Sequence, residues 1–134
     1  MAQESKIKDY DLFILEGALN STTAVNLTLK GQSTIGGVSG VVTVPNDFVM
    51  KIKNGIITNT YTATITVTIQ AYNGTTTVPL YTVEVPAGST VNISDNWFSM
   101  TVSPGYYLQI VGSASSTGYV YLNAYFVKGG STPF

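Results

Sequence analysis

Apolar and polar residues alternate along most of this chain. The clearest case is residues 61–72, where Ala63, Ile65, Val67, Ile69 and Ala71 share one parity and Thr62, Thr64, Thr66, Thr68 and Gln70 the other. Successive strand side chains point to opposite faces, so the stretch predicts one long strand with an apolar face and a hydroxyl-bearing one. A helix would spread the same residues around its circumference and restrict the β-branched rotamers. Such a strand needs neighbours beside it and a second layer over its apolar face.

The period recurs on both sides of that stretch. Val25, Leu27 and Leu29 oppose Asn26, Thr28 and Lys30, and Phe48, Met50 and Ile52 alternate with Val49, Lys51 and Lys53. Asn73-Gly74 is a hairpin signal that sends residues 78–85 back as the next strand. Val91 and Ile93 follow, then Phe98, Met100 and Val102 on one side of a short strand, then residues 107–111. The last strand, 119–127, turns Val120, Leu122, Ala124 and Phe126 inward. Pro45-Asn46-Asp47, Pro86-Ala87-Gly88, Asp95-Asn96 and Pro104-Gly105 supply the corners between them. Asn54-Gly55 reads as a turn or a bulge, because Ile56-Ile57-Thr58 resumes the apolar run. Thr43-Val44-Pro45 is echoed at Glu84-Val85-Pro86, as two like halves would be. About eight short strands without a long helix predict an all-β fold, an antiparallel β-sandwich of jelly-roll type.

Domain organisation follows from where the pattern is weak. Residues 12–15 are apolar at both parities, so 1–23 reads as an N-terminal arm, extended or briefly helical, or as a strand added to the sheet. Residues 24–128 form the jelly-roll domain, and 129–134 a frayed tail. Residues 31–40 carry four glycines and predict a loop. Nothing supports a phosphate cradle there, since no Gly-Lys-Ser/Thr and no helical period follow. The first residues carry Glu4, Lys6, Lys8, Asp9 and Asp11 and no long apolar run, so no cleaved secretory signal is expected and the chain is expected to be soluble as made.

Composition narrows the chemistry. Among 134 residues there is no Cys and no His, and all six basic residues are lysines. Disulfides, thiolate sites, a histidine general base and a bidentate phosphate clamp are therefore unavailable, and no cofactor or metal is expected. A net charge of −1 with scattered lysines argues against a nucleic-acid binder, and none is expected as a partner. Leu12 to Leu15 is too short to span a membrane. Charged residues make up only 10%, well below the roughly 25% of ordinary soluble domains. A polar but weakly charged surface suits a protein that assembles. Of seven carboxylates, Asp47, Glu84 and Asp95 could converge as a glycosidase would require, but Asp47 and Asp95 stand in turn contexts. Four Asn-x-Ser/Thr sequons (Asn20, Asn26, Asn73, Asn92) arise readily in so Thr-rich a chain.

Two aromatic groups remain as candidate contacts. The outward parity of the last strand is Tyr119, Tyr121, Asn123, Tyr125 and Val127, where a solvated strand would carry Lys, Glu or Thr. Tyrosine combines large apolar area with one hydroxyl to satisfy, so Tyr119, Tyr121 and Tyr125 predict either a subunit interface or cover within the monomer. Trp97, Tyr106 and Tyr107 could stack on sugar rings with Asn and Thr as hydrogen-bonding partners; the alternative for Trp97 is a cap on the core beside Phe98.

Residues 41–128, about two thirds of the chain, resemble small jelly-roll virion proteins of tailed phages and related viruses, including capsid-decoration and tail-associated subunits. The resemblance rests on Val44-Pro45, Ile56-Ile57-Thr58-Asn59-Thr60 and the Thr-rich strand. It continues through Val85-Pro86-Ala87-Gly88-Ser89-Thr90-Val91, Val102-Ser103-Pro104-Gly105-Tyr106-Tyr107-Leu108-Gln109-Ile110 and the final alternating strand. The chain departs from the pattern at Tyr106, where an acidic residue commonly follows the turn glycine, and its first 40 residues carry none of it. The resemblance implies a non-enzymatic virion subunit on the particle surface, a homo-oligomer and often a trimer, docked on a major capsid or other virion protein. The rival expectation is a carbohydrate-binding adhesin or receptor-binding head that takes a glycan; a cell-surface filament subunit comes third.

Overall fold

A computed structural model describes residues 12–20, 23–30, 40–94, 100–113 and 117–128. Among them no residue is helical, and ten strands pack as two antiparallel sheets. The strands are β1 (Leu12–Asn20), β2 (Val25–Asn26), β3 (Thr28–Leu29), β4 (Phe48–Asn59), β5 (Ile65–Tyr72), β6 (Thr77–Val85), β7 (Thr90–Ser94), β8 (Met100–Val102), β9 (Tyr107–Gly112) and β10 (Thr117–Lys128). One sheet runs β3-β1-β10-β4-β7, with β8 also paired to β4; the other runs β2-β9-β5-β6. The first and last strands are thus neighbours inside one sheet, and each layer supplies the cover the other's apolar face requires.

The core lies between the sheets. Ile65, Val67, Ile69 and Ala71 of β5, with Leu108 and Ile110 of β9, meet Val120, Leu122, Ala124 and Phe126 of β10 and Met50, Ile52 and Ile57 of β4, all essentially without solvent contact. Phe126 sits between Phe13 and Phe48, with ring centroids 4.9 and 5.7 Å away. Burial of each Val, Leu, Ile, Met or Phe side chain among them stabilises by about 1.5–3 kcal/mol relative to exposure.

One expectation changes, and two open alternatives are resolved. The strand expected over residues 61–72 begins only at Ile65; Ala63 is exposed and lies in the crossover before it. Asn59 causes this. Its fully buried amide donates to the carbonyls of Ala63, Val85 and Pro86 at 2.9, 3.0 and 3.2 Å, and its Oδ1 accepts from Tyr61 N–H at 2.8 Å. The crossover is tied to this one side chain and leaves the ladder. Of the turn and the bulge expected at Asn54-Gly55, the structure has the bulge, because β4 continues through these residues. A bulge places Lys53 between Ile52, opposite Ala124, and Asn54, opposite Asn123. The buried parity accordingly switches from Met50 and Ile52 to Ile57 and Asn59. Residues 12–20 are extended along β10, with Phe13, Leu15 and Leu19 inward and Leu12 and Ile14 outward. Residues 1–11 and 129–134 of the expected arm and tail, and the loop residues 31–39, lie outside the described residues.

Candidate functional site: the outer face of the six-stranded sheet

The register brings residues far apart in sequence into rows on the outer face. Glu16, Tyr121, Ile56 and Asn92 form one row across β1, β10, β4 and β7. Ala18, Tyr119, Thr58 and Thr90 form the next on one side. Ile14, Asn123 and Asn54 lie on the other side, and Leu12, Tyr125, Lys51 and Thr101 beyond them. Directly opposed side chains in an antiparallel pair stand roughly 5 Å apart at Cβ, so each row is a contiguous strip.

This face is apolar to an unusual degree. Five large hydrophobic side chains are exposed among the described residues, and four of them are here: Leu12 at 66%, Tyr119 at 48%, Ile14 at 40% and Ile56 at 37%. Tyr121 and Tyr125 are half-buried between them. The rings of Tyr119 and Tyr121 stack, with centroids 6.5 Å apart and planes 25° from parallel. The polar side chains largely satisfy one another. Asn123 Nδ2 donates to Asn54 Oδ1 at 2.6 Å, Lys51 Nζ to Thr101 Oγ1 at 3.0 Å, and the Thr58 and Thr90 hydroxyls pair at 3.0 Å. Two shallow depressions of about 580 and 490 Å³ lie on either side of the Asn123–Asn54 pair, with Ile14 and Lys30 on both rims. Such a surface excludes water from a packed neighbour while asking for few new hydrogen bonds.

The outer face of the four-stranded sheet contrasts with it. Asn26, Gln109 and Gln70 form a chain of amide hydrogen bonds, Gln70 Nε2 to Gln109 Oε1 at 2.8 Å and Gln109 Nε2 to Asn26 Oδ1 at 2.9 Å. Thr68 and Thr82 pair through their hydroxyls at 3.2 Å. Apart from the Tyr72 and Tyr107 rings at one end, this is the surface of a solvated sheet.

Sequence reasoning placed Tyr119, Tyr121 and Tyr125 on one outward stripe, and the structure puts them there, in the middle of the sheet. It missed Leu12, Ile14 and Ile56. Their signal was the two-parity apolar runs at residues 12–15 and 56–57, which expose one parity whichever face is buried. Of the proposed ligand contacts, Trp97 lies outside the described residues. Tyr106 and Tyr107 diverge. Tyr106 is packed against the core at the Pro104-Gly105 turn, its N–H donating to Ser103 O at 3.2 Å, whereas Tyr107 lies on the four-stranded sheet with its ring edge-on to Tyr72 at 5.9 Å and 87°. Asp47 sits in the turn before β4 and Glu84 on the exposed side of β6, while Asp95 lies outside the described residues. Among the described residues no three His, Cys, Asp or Glu side chains gather as a metal site, and no helix is long and apolar enough to cross a membrane.

No protein-family profile matches the chain, and no curated protein matches it in sequence. In shape it is similar to the Eiger TNF of S. frugiperda, with a TM-score of 0.54 at 6% identity, covering 95% of this chain and 98% of that one. The xylan-binding CBM22-1 domain of Paenibacillus barcinonensis Xyn10C aligns with a TM-score of 0.48 at 10% identity over 90% of this chain and 97% of that one. The PRD1 vertex protein P5 aligns with a TM-score of 0.46 at 9% identity over 90% and 99%. Likeness at these identities concerns shape alone; that to the Eiger TNF, with the two sheets described above, makes this chain an all-β antiparallel sandwich of the jelly-roll class.

Proposed function

We propose that this chain is a virion structural subunit, of the capsid-decoration or particle-surface kind, which works by self-association, as a trimer, and by docking on a protein lattice. The observation that carries the reading is the concentration of Leu12, Ile14, Ile56 and Tyr119 on one sheet face, beside Tyr121 and Tyr125. Apolar area of this kind, crossed by the mutually satisfied Asn123–Asn54 pair and flanked by the Thr58–Thr90 and Lys51–Thr101 pairs, leaves few polar groups unpaired when it packs against a partner. No reaction belongs to this role, and a chain without His or Cys has little means of activating one of its many hydroxyls. The site of action is the particle surface, on a major capsid or other virion protein.

Light scattering coupled to size exclusion tests the self-association. The wild type is expected as a trimer, Tyr121→Lys and Ile56→Lys as monomers, and Thr68→Lys on the opposite sheet as a trimer. A wild type that stays monomeric at high concentration, or a Thr68→Lys variant that dissociates as readily, overturns the proposal.

A carbohydrate-binding role is the second reading. It is supported by the Tyr72–Tyr107 ring pair beside the Asn26–Gln109–Gln70 amide row, a stacking surface with hydrogen-bonding groups next to it. A glycan array that gives signal with the wild type and none with Tyr107→Ala would favour it over the first.

A further inference from the structure

We infer that Asn73 is a site of spontaneous covalent modification, converting to aspartate and isoaspartate through a cyclic imide closed by the Gly74 nitrogen. The chain contains two Asn-Gly pairs, 54–55 and 73–74, and the fold treats them in opposite ways.

Asn73 begins the exposed connection between β5 and β6, past the last ladder pair of Tyr72 with Thr77. Its own N–H donates to Thr76 O at 3.3 Å, which closes the turn. Its side-chain Oδ1 accepts from the backbone N–H groups of Thr75 and Thr76 at 2.9 and 2.7 Å. Two donors are therefore already aimed at the oxygen that becomes negative when a nucleophile adds to Cγ. That is the arrangement by which an oxyanion hole lowers the barrier to acyl transfer. The nucleophile is the next residue's nitrogen. Gly74 has φ +95°, and a Cβ placed on it would meet nothing within 4 Å, so no side chain obstructs the approach and no strand ladder holds the nitrogen.

The step balances without any co-reactant but water. The Gly74 nitrogen loses its proton to solvent base and bonds to Asn73 Cγ, and the Cγ–Nδ2 bond breaks. The nitrogen leaves as ammonia, taking a proton back, and a five-membered imide remains. Water then opens the imide at either carbonyl. One product is aspartate, with the chain unaltered. The other is isoaspartate, with an added methylene in the main chain. The aspartate product keeps an oxygen for the Thr75 and Thr76 donors, now as charge-assisted bonds, so the turn persists. The isoaspartate product lengthens the loop and shifts its closure on Tyr72 and Thr77.

Asn54-Gly55 provides the internal control. Both residues are inside β4, paired on one side to Asn123 and Leu122 and on the other to Ser94 and Ile93. A Cβ on Gly55 would run into the Tyr121 carbonyl and Leu122, so the main chain there is wedged between its neighbours and cannot rotate to bring nitrogen onto Cγ.

The test holds the folded protein in mildly alkaline buffer and follows chymotryptic peptides by mass spectrometry; cuts at Tyr61 and Tyr72 separate the two asparagines. The Asn73 peptide is expected to gain one mass unit about a hundredfold faster than the Asn54 peptide, whose Oδ1 also accepts a hydrogen bond, from Asn123, but which can react only when β4 opens locally. In concentrated urea both peptides should convert at similar rates. Equal rates in the folded protein would overturn the inference, as would an Asn73 peptide that stays unchanged while the urea-treated chain converts at both sites.

Discussion

Asn59→Asp tests how the two sheets are joined at the β4–β5 crossover. The substitution is isosteric and keeps the oxygen that accepts from Tyr61 N–H, but it replaces the amide that serves the Ala63, Val85 and Pro86 carbonyls. A carboxylate in that place points its charge at three acceptors in a fully buried position. It escapes only by holding a proton. An aspartate has an unfolded pKa of about 3.9, so keeping it protonated near pH 7 costs roughly three units at about 1.4 kcal/mol each, or about 4 kcal/mol. The hydroxyl then serves one carbonyl at a time, and the others lose about 1–2 kcal/mol more. The total approaches the whole stability of many domains of this size.

The sign follows from linkage. The folded state of N59D binds the proton more tightly than the unfolded state, so the penalty is greatest at neutral pH and shrinks as pH falls. It diminishes by about 1.4 kcal/mol per unit until about pH 4, below which only the hydrogen-bond loss remains. Urea-unfolding midpoints of wild type and variant, measured across that range, give the difference directly. Asn59→Ala is the companion: it also destabilises, by about 3 kcal/mol, but its difference from wild type has no such slope. An N59D difference below about 1 kcal/mol at neutral pH, or one that does not shrink on acidification, refutes the assignment of Asn59 as the donor that ties the crossover down.

Three further outcomes are expected. Gly17→Val on β1 should lower stability by about 1–3 kcal/mol in thermal unfolding, because a Cβ there would stand 2.6 Å from Leu27 Cδ2 and 3.2 Å from Ile110 Cδ1, where the sheets approach closely. Phe126→Ala, which empties a fully buried site between Phe13 and Phe48, should cost about 3–5 kcal/mol by urea titration. Pro79→Val gives edge strand β6 an N–H where it had none, and should raise light scattering during heating without lowering the melting temperature.

How much of this was legible in the sequence depends on which contact decides each feature. The alternation in Ile65, Val67, Ile69 and Ala71, and in Val120, Leu122, Ala124 and Phe126, is a local property, and the buried parity was read correctly in both. The early end of the Thr-rich strand was not readable, because it is set by Asn59 reaching forward to Ala63 and across to Val85 and Pro86. The parity switch in β4 was half visible at Asn54-Gly55, but the residue that bulges is Lys53, and only the register against β10 identifies it. Likewise β6 carries an extra residue, Leu80, between Tyr81 opposite Ile69 and Pro79 opposite Gln70. The tyrosine stripe was legible because it lies on one strand. The flanking Ile14 and Ile56 were not, since β1 and β4 are brought beside β10 from opposite ends of the chain.

The two outer faces act as controls for each other. Both belong to the same chain, with the same shortage of charge and abundance of threonine, so composition cannot account for their difference. One side is closed by an amide row from Asn26 to Gln70 and a threonine pair, groups that water satisfies at no cost. The other exposes Leu12, Ile14, Ile56 and Tyr119, groups whose hydration is unfavourable. The edges argue further. Association by strand addition would use β6, the long edge of the four-stranded sheet, yet that strand carries Pro79 and a bulge beside it, both of which block continued pairing. Among the described residues, with the long β6 edge guarded and one face solvated, the remaining face offers the readiest contact. A partner there would meet rows fixed by a central strand, β10, held on both sides along most of its length. That rigidity lowers the entropy lost on binding, as the proposed role on a protein lattice would require.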